Sequence, residues 1–249
     1  MYKKLGEIIN KSKSIIALTG NGISVKSGVP DLYSSDALYF IEKYKNYKIE
    51  ELLSLQMLEK NPELVLTFYK DWAKKVNEKE PNESHKMLRQ LEEMGKLTWI
   101  ITQNVDNLHK KAGSKHVIEL FGNVTQWRCS EQCGEIYTFD TAYKMLNIDS
   151  KPECTRCKNG YIRPDIVLYG EDIEECTDYI VRKEIQECDL TITMGNSLEN
   201  SIISELIHAI PSTNSLVIIN ENNTLLDHRA DLVFNESCEE ALKNIIELF

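Results

Sequence analysis

Six short runs of apolar residues punctuate the chain: SIIALTG (14–20), LTWIIT (97–102), HVIEL (116–120), LTITMG (190–195), SLVIIN (215–220) and DLVF (231–234). Most are apolar throughout rather than alternating. That is the pattern of strands covered on both faces, so they predict a parallel α/β sheet. Helical periodicity lies between them. The N-terminal MYKKLGEIINKSKS predicts a short amphipathic helix on Leu5, Ile8 and Ile9. The stretch PNESHKMLRQLEEMG (81–95) predicts a crossover helix with Leu88, Leu91 and Met94 on one face and Gly95 as its stop. Strand and helix alternate as in a doubly wound fold.

Two stretches break this alternation. Residues 36–80 are helical in pattern and rich in Tyr, Lys and Glu, and Asn61–Pro62 supplies an N-cap and first turn for a helix carrying Leu66, Tyr69 and Trp72. Residues 124–165 hold four of the seven cysteines. The expected division is therefore a large sheet domain from residues 1–35, 81–123 and 166–249, with insertions 36–80 (helical) and 124–165 (metal-binding) forming a small second domain.

Composition adds limits. The chain has 249 residues, 42% of them hydrophobic and 27% charged, which fits a globular protein. A formal net charge of -10 disfavours non-specific binding to nucleic acid or to anionic membrane. No apolar run reaches the length of a membrane span, and the N-terminus lacks the apolar core of a signal peptide. The expected compartment is the cytoplasm, with no membrane or direct nucleic-acid partner.

Three segments carry candidate chemistry. The cysteines pair as CSEQC and CTRC, so Cys129, Cys133, Cys154 and Cys157 have the spacing of a closed tetrahedral Zn²⁺ site. Two disulfides or four free thiols are the alternatives, and disulfides do not suit a cytoplasmic chain. Cys176, Cys188 and Cys238 are scattered and read as buried or inert. TGNGISVKSGVPDLY (19–33) follows the first strand. Its Gly20 and Gly22 permit a tight turn, and N–H groups of a following helix could hold a pyrophosphate, although a plain strand–helix turn reads the same way. TQNVDNLH (102–109) puts Gln103, Asn104 and Asp106 at a strand's carboxyl end, where ligands of open sheets bind. The set suits a ribose or an amide. It equally suits a capping loop in which Asp106 starts a short helix ending at Gly113.

In chain order these motifs resemble the sirtuin (Sir2) family along nearly the whole sequence. GNGISVKSGVPD is similar to G-A-G-x-S-x-x-S-G-I-P-D, TQNVDNLHKKAG to T-Q-N-I-D-x-L-H-x-x-A-G, and IRPDIVLYGE to L-R-P-x-V-V-x-F-G-E. GNSL stands where the family has G-T-S-L, and LVIIN precedes a final DHRADLVF. The resemblance implies a Rossmann-like domain with a small zinc domain, and an enzyme that consumes NAD⁺ as co-substrate to remove acyl groups from lysine in proteins or peptides. The acyl oxygen attacks C1′ of the nicotinamide ribose, nicotinamide leaves, and a histidine base lets the 2′-hydroxyl take the acyl group.

Residue by residue, the resemblance implies that Gly20, Asn21, Gly22 and Ser24 line the phosphates, with Asp31, Leu32 and Tyr33 in the same loop. It implies that Asn104 and Asp106, with Gln103 beside them, place the ribose and nicotinamide. Gly195, Asn196, Ser197 and Asn220 would hold the adenosine half, with Cys238 near the adenine. The segment Val167, Leu168, Tyr169, Gly170 and Glu171 would pair, strand-like, with the substrate peptide.

One position departs sharply. The family's base lies in E-L-H-G-N, and here the sequence is Glu119-Leu120-Phe121-Gly122-Asn123. Phenylalanine cannot accept a proton. Asn21 for Ala, Leu32 and Tyr33 for Phe and Arg, Asn107 for Gly and Asn196 for Thr depart in the same motifs. His85 and His109 match family positions other than the base and read as packed or capping groups. His116 lies at the start of its strand and should sit at the wrong end of the sheet, and His208 and His228 lie in or beside the C-terminal elements. Three activities follow as alternatives: weak deacylation, redirected NAD⁺ cleavage (glycohydrolysis or ADP-ribosyl transfer), and non-catalytic binding of NAD⁺ or ADP-ribose.

Overall fold

A computed structural model describes residues 1–29 and 44–249. The expected residues Asp31, Leu32 and Tyr33 lie outside the described residues.

The six apolar runs become β1 (Ile15–Thr19), β2 (Trp99–Thr102), β3 (Val117–Glu119), β7 (Leu190–Met194), β8 (Ser215–Ile219) and β9 (Leu232–Phe234). They form one sheet in the order β3-β2-β1-β7-β8-β9, every pair parallel. The chain reverses direction of travel at β1, where strand order switches from leftward to rightward winding. Successive residues on a strand point to opposite faces, and both faces are apolar. Ile15 and Ala17 of β1 enter the cluster covered by α1 (Tyr2–Lys11), α5 (Glu83–Glu93) and α10 (Cys238–Ile246). Ile16 and Leu18 enter the opposite cluster, under α8 (Glu175–Glu187) and α9 (Ser201–His208). This explains why the strands read as unbroken apolar runs.

The expected N-terminal helix forms, with Leu5 and Ile9 buried. The crossover helix also forms, but its buried face is shifted. Met94 is the C-cap of α5 and is 39% exposed. Ser84, His85 and Met87 are buried with Leu88 and Leu91. The helix ends one residue before Met94, so the periodicity no longer governs where that side chain points.

Of the helical stretch, residues 44–80 are described and contain α2 (Ile49–Leu52), α3 (Leu55–Lys60) and α4 (Pro62–Asn77). Asn61 caps α4 by accepting from Leu64 N at 3.3 Å, with Pro62 in its first turn. The cysteine stretch contains β4 (Gly122–Cys129), β5 (Ile136–Thr138) and α7 (Phe139–Ile148), and β6 (Ile162–Ile166) completes an antiparallel sheet in the order β5-β4-β6. Leu66, Tyr69 and Trp72 of α4 pack with Val124, Trp127 and Leu146 in a single apolar cluster, so the two stretches share a core. No helix among the described residues is long and apolar enough to cross a membrane.

Candidate active site and metal centre

The carboxyl ends of β1, β2 and β7 meet at the strand-order switch, the place where open α/β sheets bind ligands. Gly20, Gln103 and Gly195 follow these strands directly. The backbones cross without room for side chains. A Cβ on Gly20 would lie 2.7 Å from Gly195 O, and one on Gly22 would lie 2.7 Å from Gly195 Cα. Gly195 itself is left-handed (φ +60°), and a Cβ there would lie 2.6 Å from Ile23 N. This close approach is why the two glycine motifs are needed together.

The turn after β1 differs from the expected helix start. It consists of two 3₁₀ turns, Asn21–Ile23 and Val25–Ser27. Gly20 N and Gly22 N donate to Met194 O and Gly195 O, while Ile23 N and Ser24 N donate to Gly20 O and Asn21 O. These N–H groups are therefore spent within the protein. The loop offers a glycine cradle with these four donors turned inward. A side chain supplies a donor nearby: Asn196 follows Gly195, accepts from Leu198 N at 3.0 Å, and its buried Nδ2 has no hydrogen-bond partner among the described residues. A cradle that a Cβ would fill and an orphaned amide beside it fit a dinucleotide. Ser197 is exposed next to it, and Asn21 is exposed on the turn.

Below the turn lies a buried polar network. Ser24 Oγ donates to Asp106 Oδ2 at 2.6 Å and accepts from Asn104 Nδ2 at 3.1 Å, and that amide also reaches Gly20 O at 3.1 Å. Asp106 Oδ1 accepts from Leu108 N at 2.9 Å, at the start of α6 (Leu108–Lys111). Asp106 thus holds the start of α6 with one oxygen, as the capping reading expects, and Ser24 with the other. Burial pushes the Asp106 carboxyl up, against the opposing pull of Ser24 and Leu108. His85 Nε2 lies 3.4 Å from Ser24 Oγ, and its Nδ1 faces Asn82 Oδ1 at 3.0 Å. Asn82 Nδ2 donates to Ile23 O, which assigns its Oδ1 as the acceptor and makes His85 Nδ1 the protonated nitrogen. Burial lowers the His85 imidazole to about 4. His109 packs beside it with the ring planes tilted by 58° and centroids 4.8 Å apart, and bonds to Thr19 Oγ1 at 2.9 Å. Burial also holds His109 well below its usual value.

The sequence pointed to Ser24, Asn104 and Asp106 but not to Asn82, which the structure adds through its two contacts to His85 and Ile23. An N-cap residue three positions before a histidine was the available signal. On the adenosine side, Asn220 follows β8 and donates through Nδ2 to Asn222 O. Cys238 begins α10, buried in the cluster that contains Ile23, and burial pushes its thiol up to about 12. Asn107 is not part of this group: in a left-handed conformation (φ +65°), it lines a concavity of about 380 Å³ with Asn77, Lys110, Asn123 and Tyr137.

Phe121 stands between β3 and β4. Its half-buried ring packs against the apolar cluster that includes Leu120 and Leu198. Its carbonyl accepts from Val167 N at 3.0 Å. Gly122 follows with φ +80°, because Asp165 of β6 crosses where a side chain would begin. His116 is at the opposite end of β3, bonded to Glu92 through Nδ1 at 3.0 Å.

The segment 167–171 leaves the β6 edge rather than forming a strand of its own. Tyr169 N donates to Leu53 O and Tyr169 O accepts from Leu55 N, so its main chain is already paired to the helical stretch. Arg163, 5% exposed, grips the Glu171 carboxylate at 2.6 and 2.8 Å and also donates to Ile166 O at 3.1 Å. Glu171 in turn accepts from Leu168 N at 2.8 Å, and Arg163 helps hold its carboxyl below the usual range. This clamp was not foreseen from the sequence, because two charges eight residues apart have no periodic signature.

The four clustered cysteines meet at the end of the small sheet. Their sulfurs lie within 4.8 Å of one another, with 3.5 Å between Cys129 and Cys157 and 3.7 Å between Cys133 and Cys154. Sulfurs on a tetrahedron with Zn–S near 2.3 Å are separated by roughly 3.8 Å. The set fits zinc and is far too open for disulfides, whose S–S length is about 2.05 Å. Of the remaining thiols Cys188 and Cys238 are buried as expected, but Cys176 is exposed, in the first turn of α8 on its solvent side.

Fold and site define a Rossmann-like α/β protein with a glycine-cradled cleft and a four-cysteine cluster suited to zinc. Residues 20–201 match the Sir2 family. Over 252 residues the chain is 37% identical to NAD-dependent protein deacetylase 2 of Caldanaerobacter subterraneus subsp. tengcongensis, covering 100% of this chain and 96% of that one. It is 38% identical to the NAD-dependent protein deacetylase of Clostridium perfringens, covering 98% of each. Among solved structures, Sir2 bound to acetylated peptide superposes with a TM-score of 0.86 at 31% identity, covering 99% of this chain and 98% of the other. A complex of Sir2, p53 peptide and NAD⁺ does so with a TM-score of 0.84 at 32% identity, with the same two coverages. The chain belongs to the Sir2 family.

Proposed function

We propose that this chain binds NAD⁺ and an acyl-lysine peptide, as its relatives' names imply, and that Phe121 leaves it a slow deacylase because the proton-accepting group is missing. NAD⁺ supplies a ribose C1′ whose bond to nicotinamide is the one cleaved. Gly20, Gly22, Ser24, Gly195, Asn196, Ser197 and Asn220 would hold it, Asn104 and Asp106 would orient the nicotinamide ribose, and Val167–Glu171 would carry the peptide. The four cysteines would hold a structural zinc with no open position, and we assign the protein to the cytoplasm, where thiol clusters bind metal rather than form disulfides.

The observation that carries this reading is the pairing of an intact polar network with an apolar residue where the base belongs. Ser24, Asn104 and Asp106 are mutually hydrogen-bonded. The five histidines lie elsewhere: His85 and His109 are buried beneath the turn, His116 is at the far end of β3, His208 is the last residue of α9, and His228 lies in the turn before β9, bonded to Leu225 O. A positioned base contributes about 10²- to 10⁴-fold, which is the rate loss expected for deacylation.

The same observation favours a second reading. Nicotinamide release needs orientation of the ribose but no base at position 121, so NAD⁺ cleavage by water or another acceptor can outpace deacylation. Incubating the protein with NAD⁺ and an acetyl-lysine peptide, while following nicotinamide and peptide mass together, tests both. Stoichiometric products support slow deacylation, and excess nicotinamide supports redirected cleavage. Tight NAD⁺ binding with neither product would overturn both in favour of a binding module.

A further inference from the structure

The four-cysteine cluster has a polar neighbour that no spacing argument reveals. Tyr137 lies on β5 opposite Trp127 of β4, and its side chain is 4% exposed. Its hydroxyl stands 3.3 Å from Cys154 Sγ. The main-chain N–H of Thr155, the residue after that cysteine, donates to the same phenol oxygen at 2.9 Å. Thr155 Oγ1 lies 3.2 Å from it as well. The oxygen is thus held from the side by one donor, which leaves its own proton a choice between Cys154 and the Thr155 hydroxyl.

We propose that Tyr137 is a positioning residue of the zinc site, donating its phenolic proton to the Cys154 thiolate and fixing the turn that presents Cys154 and Cys157. Four thiolates around one Zn²⁺ carry a net charge of about -2, and such a site is stabilised by donors that draw charge from sulfur. The N–H groups of a metal-binding turn do this in part. Tyr137 adds a donor from a different element, so the site is braced by the sheet as well as by its own loop. Among the described residues, the hydroxyl's hydrogen-bond partners are Cys154 and its neighbour Thr155. Its role is therefore directed at one ligand, while the ring packs in the apolar cluster around α4 and α7.

The test uses the full-length, metal-loaded chain with Zn²⁺ and Co²⁺ as probes. Tyr137→Phe keeps the packing ring and removes only the oxygen. Thr155→Val removes the competing hydroxyl acceptor but keeps the N–H donor. Zinc affinity is measured at neutral pH by competition with a chromophoric chelator. The sulfur-to-cobalt charge-transfer band reports hydrogen bonding to the thiolates. The expected result is a loss of zinc affinity of at least about tenfold in Tyr137→Phe, within the 10- to 100-fold cost of losing an outer-shell partner. The tetrahedral cobalt spectrum persists while its charge-transfer band shifts, and Thr155→Val retains native affinity and band position. A loss smaller than tenfold in Tyr137→Phe, or an unshifted band, overturns the proposal. So does an equal loss in both variants, which would make Thr155 the real partner of the phenol.

Discussion

Ser24 Oγ donates to Asp106 Oδ2 at 2.6 Å across the floor of the glycine-cradled turn, joining the loop after β1 to the loop after β2. Asp106 is 4% exposed, and a carboxylate so buried depends on its donors. Ser24→Ala removes one donor of two, with an expected loss of about 1–3 kcal/mol in denaturant unfolding and a weakening of NAD⁺ binding by calorimetric titration. Asp106→Asn keeps the volume and should still yield a folded, NAD⁺-binding protein that releases no nicotinamide. Nicotinamide release at the native rate by Asp106→Asn would remove the carboxylate from the chemistry.

The paired histidines beneath the same turn predict a pH dependence. The folded His85 imidazole is lowered to about 4 by burial, from an ordinary value near 6.5. A depressed folded value means the unfolded chain takes up the proton first. Its contribution to stability is full above about 6.5 and is lost as pH falls through about 4, amounting to roughly 3 kcal/mol over that window. Urea melts of the native protein between pH 7 and 4 should show this decline, and His85→Gln should flatten it. A slope unchanged by His85→Gln would mean that carboxylates alone drive acid unfolding.

Removal of the metal should be selective. The cysteines sit where β4 and β6 approach, and Cys129 and Cys154 belong to the same apolar cluster as α4. Chelation, or Cys154→Ser, should abolish a stoichiometry of one zinc per chain and loosen that cluster first. Hydrogen exchange would then rise in β4–β6 and α7 before it rises in the six-stranded sheet. Uniform exchange across both sheets would show that the cluster is not a local structural element.

The Arg163–Glu171 pair holds segment 167–171 from inside. Breaking one side of a buried pair strands the other charge, so Glu171→Gln should cost about 3–5 kcal/mol. Replacing both residues by Met should restore much of that stability while leaving acyl-peptide binding weak, since the segment loses the grip on Ile166 O and Leu168 N. Full recovery of peptide binding in the double variant would exclude a positioning role for the clamp.

Much of this was legible in the sequence. The central strands β1 and β7 are buried at every position and their neighbours nearly so, so the apolar runs marked the strands within a residue or two, and Asn61–Pro62 marked the start of α4. Cysteine spacing marked the metal cluster because four ligands must converge from two turns. The rest depends on tertiary contact. Nothing local shows that the N–H groups of Gly20 and Gly22 are consumed by Met194 and Gly195, or that Arg163 reaches Glu171. Met94 was misread for a related reason, since it lies at a helix end where backbone geometry, not periodicity, sets direction.

A competent scaffold that lacks only its base at Phe121 should regain deacylation when a histidine is placed there. The most direct measurement compares the native protein with Phe121→His, both given NAD⁺ and acetyl-lysine peptide, with nicotinamide and deacylated peptide quantified in the same samples. Phe121→His is expected to deacylate at least about 10²-fold faster, while nicotinamide release by the native protein equals or exceeds its slow deacylation. Equal deacylation rates in the two proteins would contradict it, and would mean that position 121 does not carry the proton-accepting step in this chain.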